Sequence, residues 1–82
     1  MMCGGYSHEK LPDDESNNLY NKIKDSINHE IKEFVSYKTQ VVNGTNYLLK
    51  LLLTNNTFIF IKIYKDLNNN IEITDQNVKD SF

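Results

Sequence analysis

Near Glu33 the spacing of apolar residues switches from four to two, and that switch limits the folds open to the protein. Before it, Leu19, Ile23, Ile27 and Ile31 recur every fourth residue with Tyr20 beside them, which places one apolar stripe on a helix predicted over residues 14–30. Asn17, Asn21, Lys22, Lys24 and Asp25 fall on the opposite face, where they read as a solvated surface. Asp13 and Asp14 offer a side-chain oxygen for the helix N-cap, and with Glu15 they suit the positive end of its dipole. After the switch, Val35, Tyr37, Thr39 and Val41 alternate with Ser36, Lys38 and Gln40, which is the period of a strand. Asn43-Gly44 then ends the run, and Asn-Gly between alternating apolar segments signals a tight hairpin because both residues tolerate positive φ.

Three more strands follow from the same pattern. Tyr47, Leu49, Leu51 and Leu53 share one face, with Leu48, Lys50 and Leu52 on the other. Thr54-Asn55-Asn56-Thr57 forms a turn. Ile59, Ile61 and Ile63 face one way and Phe58, Phe60, Lys62 and Tyr64 the other. Leu67-Asn68-Asn69-Asn70 breaks this strand, and Ile71 and Ile73 start a short last one. Strands joined by tight turns pair antiparallel, and the helix stripe is the only cover for the sheet's aliphatic face. The fold class is therefore α+β, with one long helix packed on a four- to five-stranded antiparallel sheet. The outward Leu48, Leu52, Phe58 and Phe60 leave the second face fairly apolar, as incidental surface or as a partner surface.

The 82 residues suffice for one domain, and a chain this short buries only roughly 60% of its unfolded surface, so its core must be simple. Residues 1–12, with Gly4, Gly5 and Pro12, lack periodicity and read as a flexible amino-terminal arm. A net charge of −2 and the lack of any arginine argue against nucleic acid as a partner. No apolar run is long enough to span a membrane, so no membrane partner is expected. Cys3 is the single cysteine, which precludes an internal disulfide and, with no export signal in view, points to the cytoplasm. Asn43-Gly44-Thr45 and Asn55-Asn56-Thr57 fit the glycosylation sequon, but in that compartment both are expected to stay unmodified.

Catalysis finds little support. Cys3 with His8 or His29 would make a thiolate–imidazole pair, but no third group is placed to orient the ring, and no metal-ligand spacing is present. Asp13, Asp14 and Glu15 read as helix-start residues, and Gly4-Gly5 neither follows a strand nor opens a helix, as a phosphate loop would. No enzyme activity, cofactor or metal is expected. Val41 and Val42 are different: apolar residues beside a hairpin tip mark a surface that meets a partner.

Gln40 to Tyr47 resembles the Gln-Val-Val-Ala-Gly-Thr-Asn-Tyr signature of the cystatins, and Met1-Met2-Cys3-Gly4-Gly5 resembles the amino terminus of the type 1 cystatins, the stefins. The resemblance implies a sheet wrapped around one helix, with the amino-terminal arm as an extra edge strand. It also implies a reversible, competitive inhibitor of papain-like, cathepsin-type cysteine proteases, which fills the active-site cleft with the arm and two hairpins. By that resemblance the binding residues are Gly4, Gly5, Gln40, Val41, Val42, Asn43, Gly44, Leu67 and Asn68. A glycine at Gly4 lets the backbone pass close to the thiolate, and Met1, Met2 and Cys3 enter the neighbouring subsites. Asn43 stands where the family has alanine, and Asn68 stands where stefins carry proline, so the second hairpin is expected to be looser. A monomer is expected, with a domain-swapped or Cys3-linked dimer as other forms. The alternative reading is a binding module of cystatin fold with weak or no inhibition.

Overall fold

The computed structural model describes residues 5–79. Helix α1 (Asp14–Ile23) is followed by a 3₁₀ turn (Lys24–Ser26) and four strands: β1 (Ile31–Val42), β2 (Gly44–Leu53), β3 (Phe58–Lys65) and β4 (Ile71–Lys79). The strands form one antiparallel sheet in the order β1-β2-β3-β4, as short connections require. The α+β layering expected from the sequence is present.

The helix starts where the carboxylates placed it. Asp13 is the N-cap: the Ser16 N–H donates to its Oδ1 at 2.9 Å, and the Asp13 N–H donates to Ser16 Oγ at 2.9 Å. The helix stops earlier than residue 30, because its α-helical part ends at Ile23. Ile27 is already extended, with φ −92° and ψ 120°. Asn28 and His29 are poor helix formers. The Glu30 carbonyl also accepts from the Thr54 N–H at 3.1 Å, which turns the segment onto the β2–β3 connection. Ile27 nonetheless stays buried, so the stripe keeps its packing without the helix.

Leu19, Ile23 and Ile27 cover the inner sheet face, where Leu49, Leu51, Ile59, Ile61 and Ile63 are almost wholly removed from water. Burial of each such residue contributes about 1.5–3 kcal/mol. β1 departs from the simple alternation. Ile31, Phe34 and Tyr37 pair with Leu53, Leu51 and Leu49, so they share the inner face at a spacing of three. Register shifts between Ile31 and Glu33 and between Phe34 and Ser36 make this possible, and Val35 is an unpaired extra residue instead of a member of the Tyr37 row. Such bulges bend a strand and raise its twist, which curls β1 around the helix. β4 is longer than its two isoleucines suggested, since ladder bonds to β3 need no apolar side chains.

The amino-terminal segment runs along the outer edge of β1. Lys10 and Tyr37 exchange N–H···O bonds of 2.9 and 3.0 Å, and the Ser7 N–H donates to the Thr39 carbonyl at 2.7 Å. The expected edge pairing therefore exists over residues 7–10. On the outer sheet face two lysines lie over the phenylalanines: Lys50 Nζ is 4.5 Å from the Phe58 ring centre and Lys79 Nζ is 5.5 Å from that of Phe60. Their stems cover surface that the alternation alone leaves bare.

Candidate functional site

Two hairpin tips and the amino-terminal segment approach one end of the sheet. The β1–β2 tip is narrow: Val42 and Gly44 are cross-strand partners, with Asn43 alone between them. Gly44 takes φ +110°, and a Cβ there would lie 2.5 Å from the Lys65 carbonyl oxygen. Glycine is thus required twice, by backbone conformation and by close approach. Asn43 does not take positive φ; among the described non-glycine residues only Asn56 and Asn69 do. The paired positive φ expected of Asn43-Gly44 is replaced by a single one, because Gly44 alone makes the turn. The Tyr64 hydroxyl of β3 donates to the Asn43 carbonyl and fastens the tip to the sheet. Below the tip, the Asn46 amide donates to Gln40 Oε1 at 3.0 Å. Val41 projects with 73% of its surface exposed, while Val42 is half-buried.

The β3–β4 loop is built on one carboxylate. Asp66 Oδ1 accepts from the Asn68 N–H at 2.8 Å and the Asn70 N–H at 2.9 Å, and Oδ2 accepts from the Asn70 amide at 3.2 Å. The Asn70 backbone N–H, first among these bonds, holds the Asp66 carboxyl below its ordinary range. Asn69 takes the left-handed conformation with φ 68°, which asparagine tolerates well. The loop that lacks proline is thus organised by an Asx-type network instead of being left loose. Leu67 stands out from it with 73% of its surface exposed, and Asn68 is also exposed.

A groove of about 410 Å³ lies between the two tips, lined by Val41, Val42, Gly44, Lys65, Leu67 and Asn69 among others. The structure thereby brings Val41, Val42, Gly44 and Leu67 together at one end. Gly5 precedes Ser7, on the side of Thr39 that leads toward Val41. Nothing lies within 4 Å of a Cβ built on it, so the fold does not demand glycine there. Gly4, with Met1, Met2 and Cys3, lies outside the described residues.

The scaffold beneath the tips is tied by two phenol–carboxylate bonds that the sequence pattern did not signal. The Tyr37 hydroxyl donates to Asp13 Oδ2 at 2.7 Å, and the Tyr47 hydroxyl donates to Glu15 Oε2 at 3.0 Å. They pin the helix start to β1 and β2. The Asp13 bond, followed by burial, pushes the Tyr37 phenol up to about 12. Burial, followed by the Glu15 bond, does the same to Tyr47, also to about 12. The Ser16 N–H, then the Tyr37 hydroxyl, hold the Asp13 carboxyl below its usual value. The roles of Asp66 and Tyr64 were also missed; a turn that opens with aspartate was the one available signal for the first. His8 and His29 are exposed and far apart in the sequence. Among the described residues no group of three potential metal ligands occurs, and no helix is long and apolar enough to cross a membrane.

Comparison with known proteins matches residues 14–80 to the cystatin domain, which takes in the helix and all four strands. Cystatin-A of Mus musculus is 34% identical over 82 residues, covering 90% of this chain and 84% of that protein. Cystatin-B of Macaca fuscata fuscata is 32% identical over 73 residues, covering 82% and 74%. Leukocyte cysteine proteinase inhibitor 1 of Sus scrofa is 29% identical over 73 residues, covering 82% and 71%.

Proposed function

The chain belongs to the cystatin family, in its type 1 branch, and on that premise we propose that it is a reversible, competitive protein inhibitor of papain-like cysteine proteases. The observation that supports this most is the common end shared by the two hairpin tips, with Val41 and Leu67 exposed on either side of one groove. An inhibitor of a cleft needs a stiff wedge with apolar contacts at its edge. Gly44 and Asp66 give the two tips fixed backbones before any partner arrives, so little ordering entropy is lost on binding.

The action is occlusion. Gln40, Val41, Val42, Asn43 and Gly44 fill the centre of the cleft over the reactive thiolate, and Leu67 and Asn68 occupy its far side. The amino-terminal residues, Gly4 and Gly5 among them, fill the near side, where a backbone without a Cβ passes closest to the sulfur. No bond to the thiolate forms. Interfaces of this kind bury about 1,600 Å² in total, and nanomolar affinity corresponds to roughly −12 kcal/mol. The partners are cathepsin-type proteases, the place of action is the cytoplasm, and the protein acts as a monomer without enzymatic activity of its own.

Titration of active-site-counted papain with the intact protein tests this reading. Peptidase activity is expected to fall in proportion to added protein and reach zero at equimolar amounts. Full activity at large excess would leave a cystatin-fold binding module without inhibition.

A further inference from the structure

The proposed binding role does not use the covalent chemistry open to the β1–β2 tip. Asn43-Gly44 is the only Asn-Gly pair in the sequence, and Asn43 is exposed at the turn. Glycine hinders attack by its own backbone nitrogen least, since it carries no Cβ. No hydrogen bond among the described residues holds the Asn43 side-chain amide; the one bond at this residue is made by its backbone carbonyl. Two of the other turn asparagines are occupied: Asn55 Oδ1 accepts from the Thr57 N–H and hydroxyl, and the Asn70 amide donates to Asp66.

We propose that Asn43 is a site of spontaneous deamidation, and that the product dismantles the tip and so limits the lifetime of the inhibitor; the second half rests on the inhibitor reading above. The Gly44 backbone nitrogen gives its proton to solvent and attacks Asn43 Cγ. A new bond forms between that nitrogen and Cγ, the Cγ–Nδ2 bond breaks, and ammonia leaves with a proton from water. The resulting cyclic imide takes up one water. Opening at Cγ yields aspartate; opening at the Asn43 backbone carbonyl yields isoaspartate, whose main chain runs through the former side chain.

Both products disturb what holds the tip. Either one adds a negative charge between Val42 and Gly44, at the rim of a groove that already contains Glu15 and Asp66, with Lys65 as its lysine. Isoaspartate also lengthens the backbone beside Gly44, where the Lys65 carbonyl leaves no room, and moves the carbonyl that accepts from Tyr64 off the backbone path. The family's alanine at this position cannot react this way, so the property is specific to Asn43.

The test holds the intact protein and its Asn43→Ala variant at body temperature in neutral buffer. Peptide mass and isoaspartate methyl-labelling are followed at residue 43, and papain inhibition is measured in parallel. The expected result is conversion of Asn43 from amide to acid, with the converted fraction inhibiting about tenfold or more weakly than fresh protein, the scale of one lost central contact, while the inhibition constant of Asn43→Ala, whatever its starting value, does not drift over the same incubation. Retention of the amide in the folded protein, when the same segment as a free peptide deamidates, would overturn the proposal by showing that the fold protects the site. Converted protein that inhibits as well as fresh protein would overturn the lifetime claim. Fresh protein that never inhibits would instead sink the inhibitor reading, and the mass readout would still decide the chemistry at Asn43.

Discussion

The two hairpin tips reach the same end of the molecule by opposite means. The β1–β2 tip is shaped by steric fit: Gly44 sits where any Cβ would collide with the Lys65 carbonyl, and its φ of +110° excludes other residues. The β3–β4 loop is shaped by one charge, with the Asp66 carboxylate gathering the N–H groups of Asn68 and Asn70. A tip held by shape is indifferent to pH and intolerant of substitution. A loop held by a carboxylate tolerates more sequence change and responds to acid. This contrast explains how asparagine can stand at residue 68 without leaving the loop unordered.

The contrast breaks most sharply at Gly44. Gly44→Ala forces a Cβ into the Lys65 backbone and strains a positive φ, so a loss of about 2–3 kcal/mol in unfolding free energy is expected from urea titration. An unchanged midpoint would mean the tip is not sterically fixed. Asp66→Ala comes next. It should leave the midpoint nearly unmoved, accelerate hydrogen exchange at Asn68 and Asn70, and weaken protease inhibition about tenfold through the added cost of ordering the loop. Equal exchange in variant and wild type would remove Asp66 from its organising role.

Acid sharpens the same difference. The Asp66 carboxyl is held below its ordinary 3.8, so its bonds favour the ordered loop fully above that pH and are lost as pH falls through the lowered value. Amide shifts of Asn68 and Asn70 should therefore move in strongly acidic buffer while those of Val42 and Gly44 stay, apart from effects of Asp13 on the helix start. At the alkaline end the sign reverses in origin. Tyr37 and Tyr47 favour the neutral phenol up to about 12, so the stability they give is complete below 10 and declines from there upward. The smallest effect is expected for Asn68→Pro. Proline pre-sets φ but removes the N–H that Asp66 accepts, and the two changes offset, so inhibition should shift less than about threefold.

Much of the architecture was legible because it rests on local spacing. The four-residue stripe, the alternation of the leucines and isoleucines, and Asp13 ahead of the helix each depend on neighbours a few positions away. What was not legible depends on distant partners. The helix ends early in part because Asn28 and His29 favour helix poorly, which the four-residue stripe masked, and in part because Glu30 bonds to Thr54, a distant partner that no local pattern reveals. The bulges of β1 bring Ile31, Phe34 and Tyr37 to one face at a spacing that alternation rejects; only the paired leucines of β2 expose it. At the site, the turn at Gly44 was readable from its residue type. The bond from Tyr64 to Asn43 was not, since it joins residues from different hairpins.

The central claim is that both tips enter one protease cleft and leave its sulfur unreacted. Hydrogen exchange of the intact protein, alone and bound to papain whose thiol has been methylated, tests it most directly. Protection is expected at residues 41–44 and at residues 67–70 together, in a complex that forms despite the blocked sulfur. Protection confined to the outer sheet face, or to one tip alone, would contradict the claim.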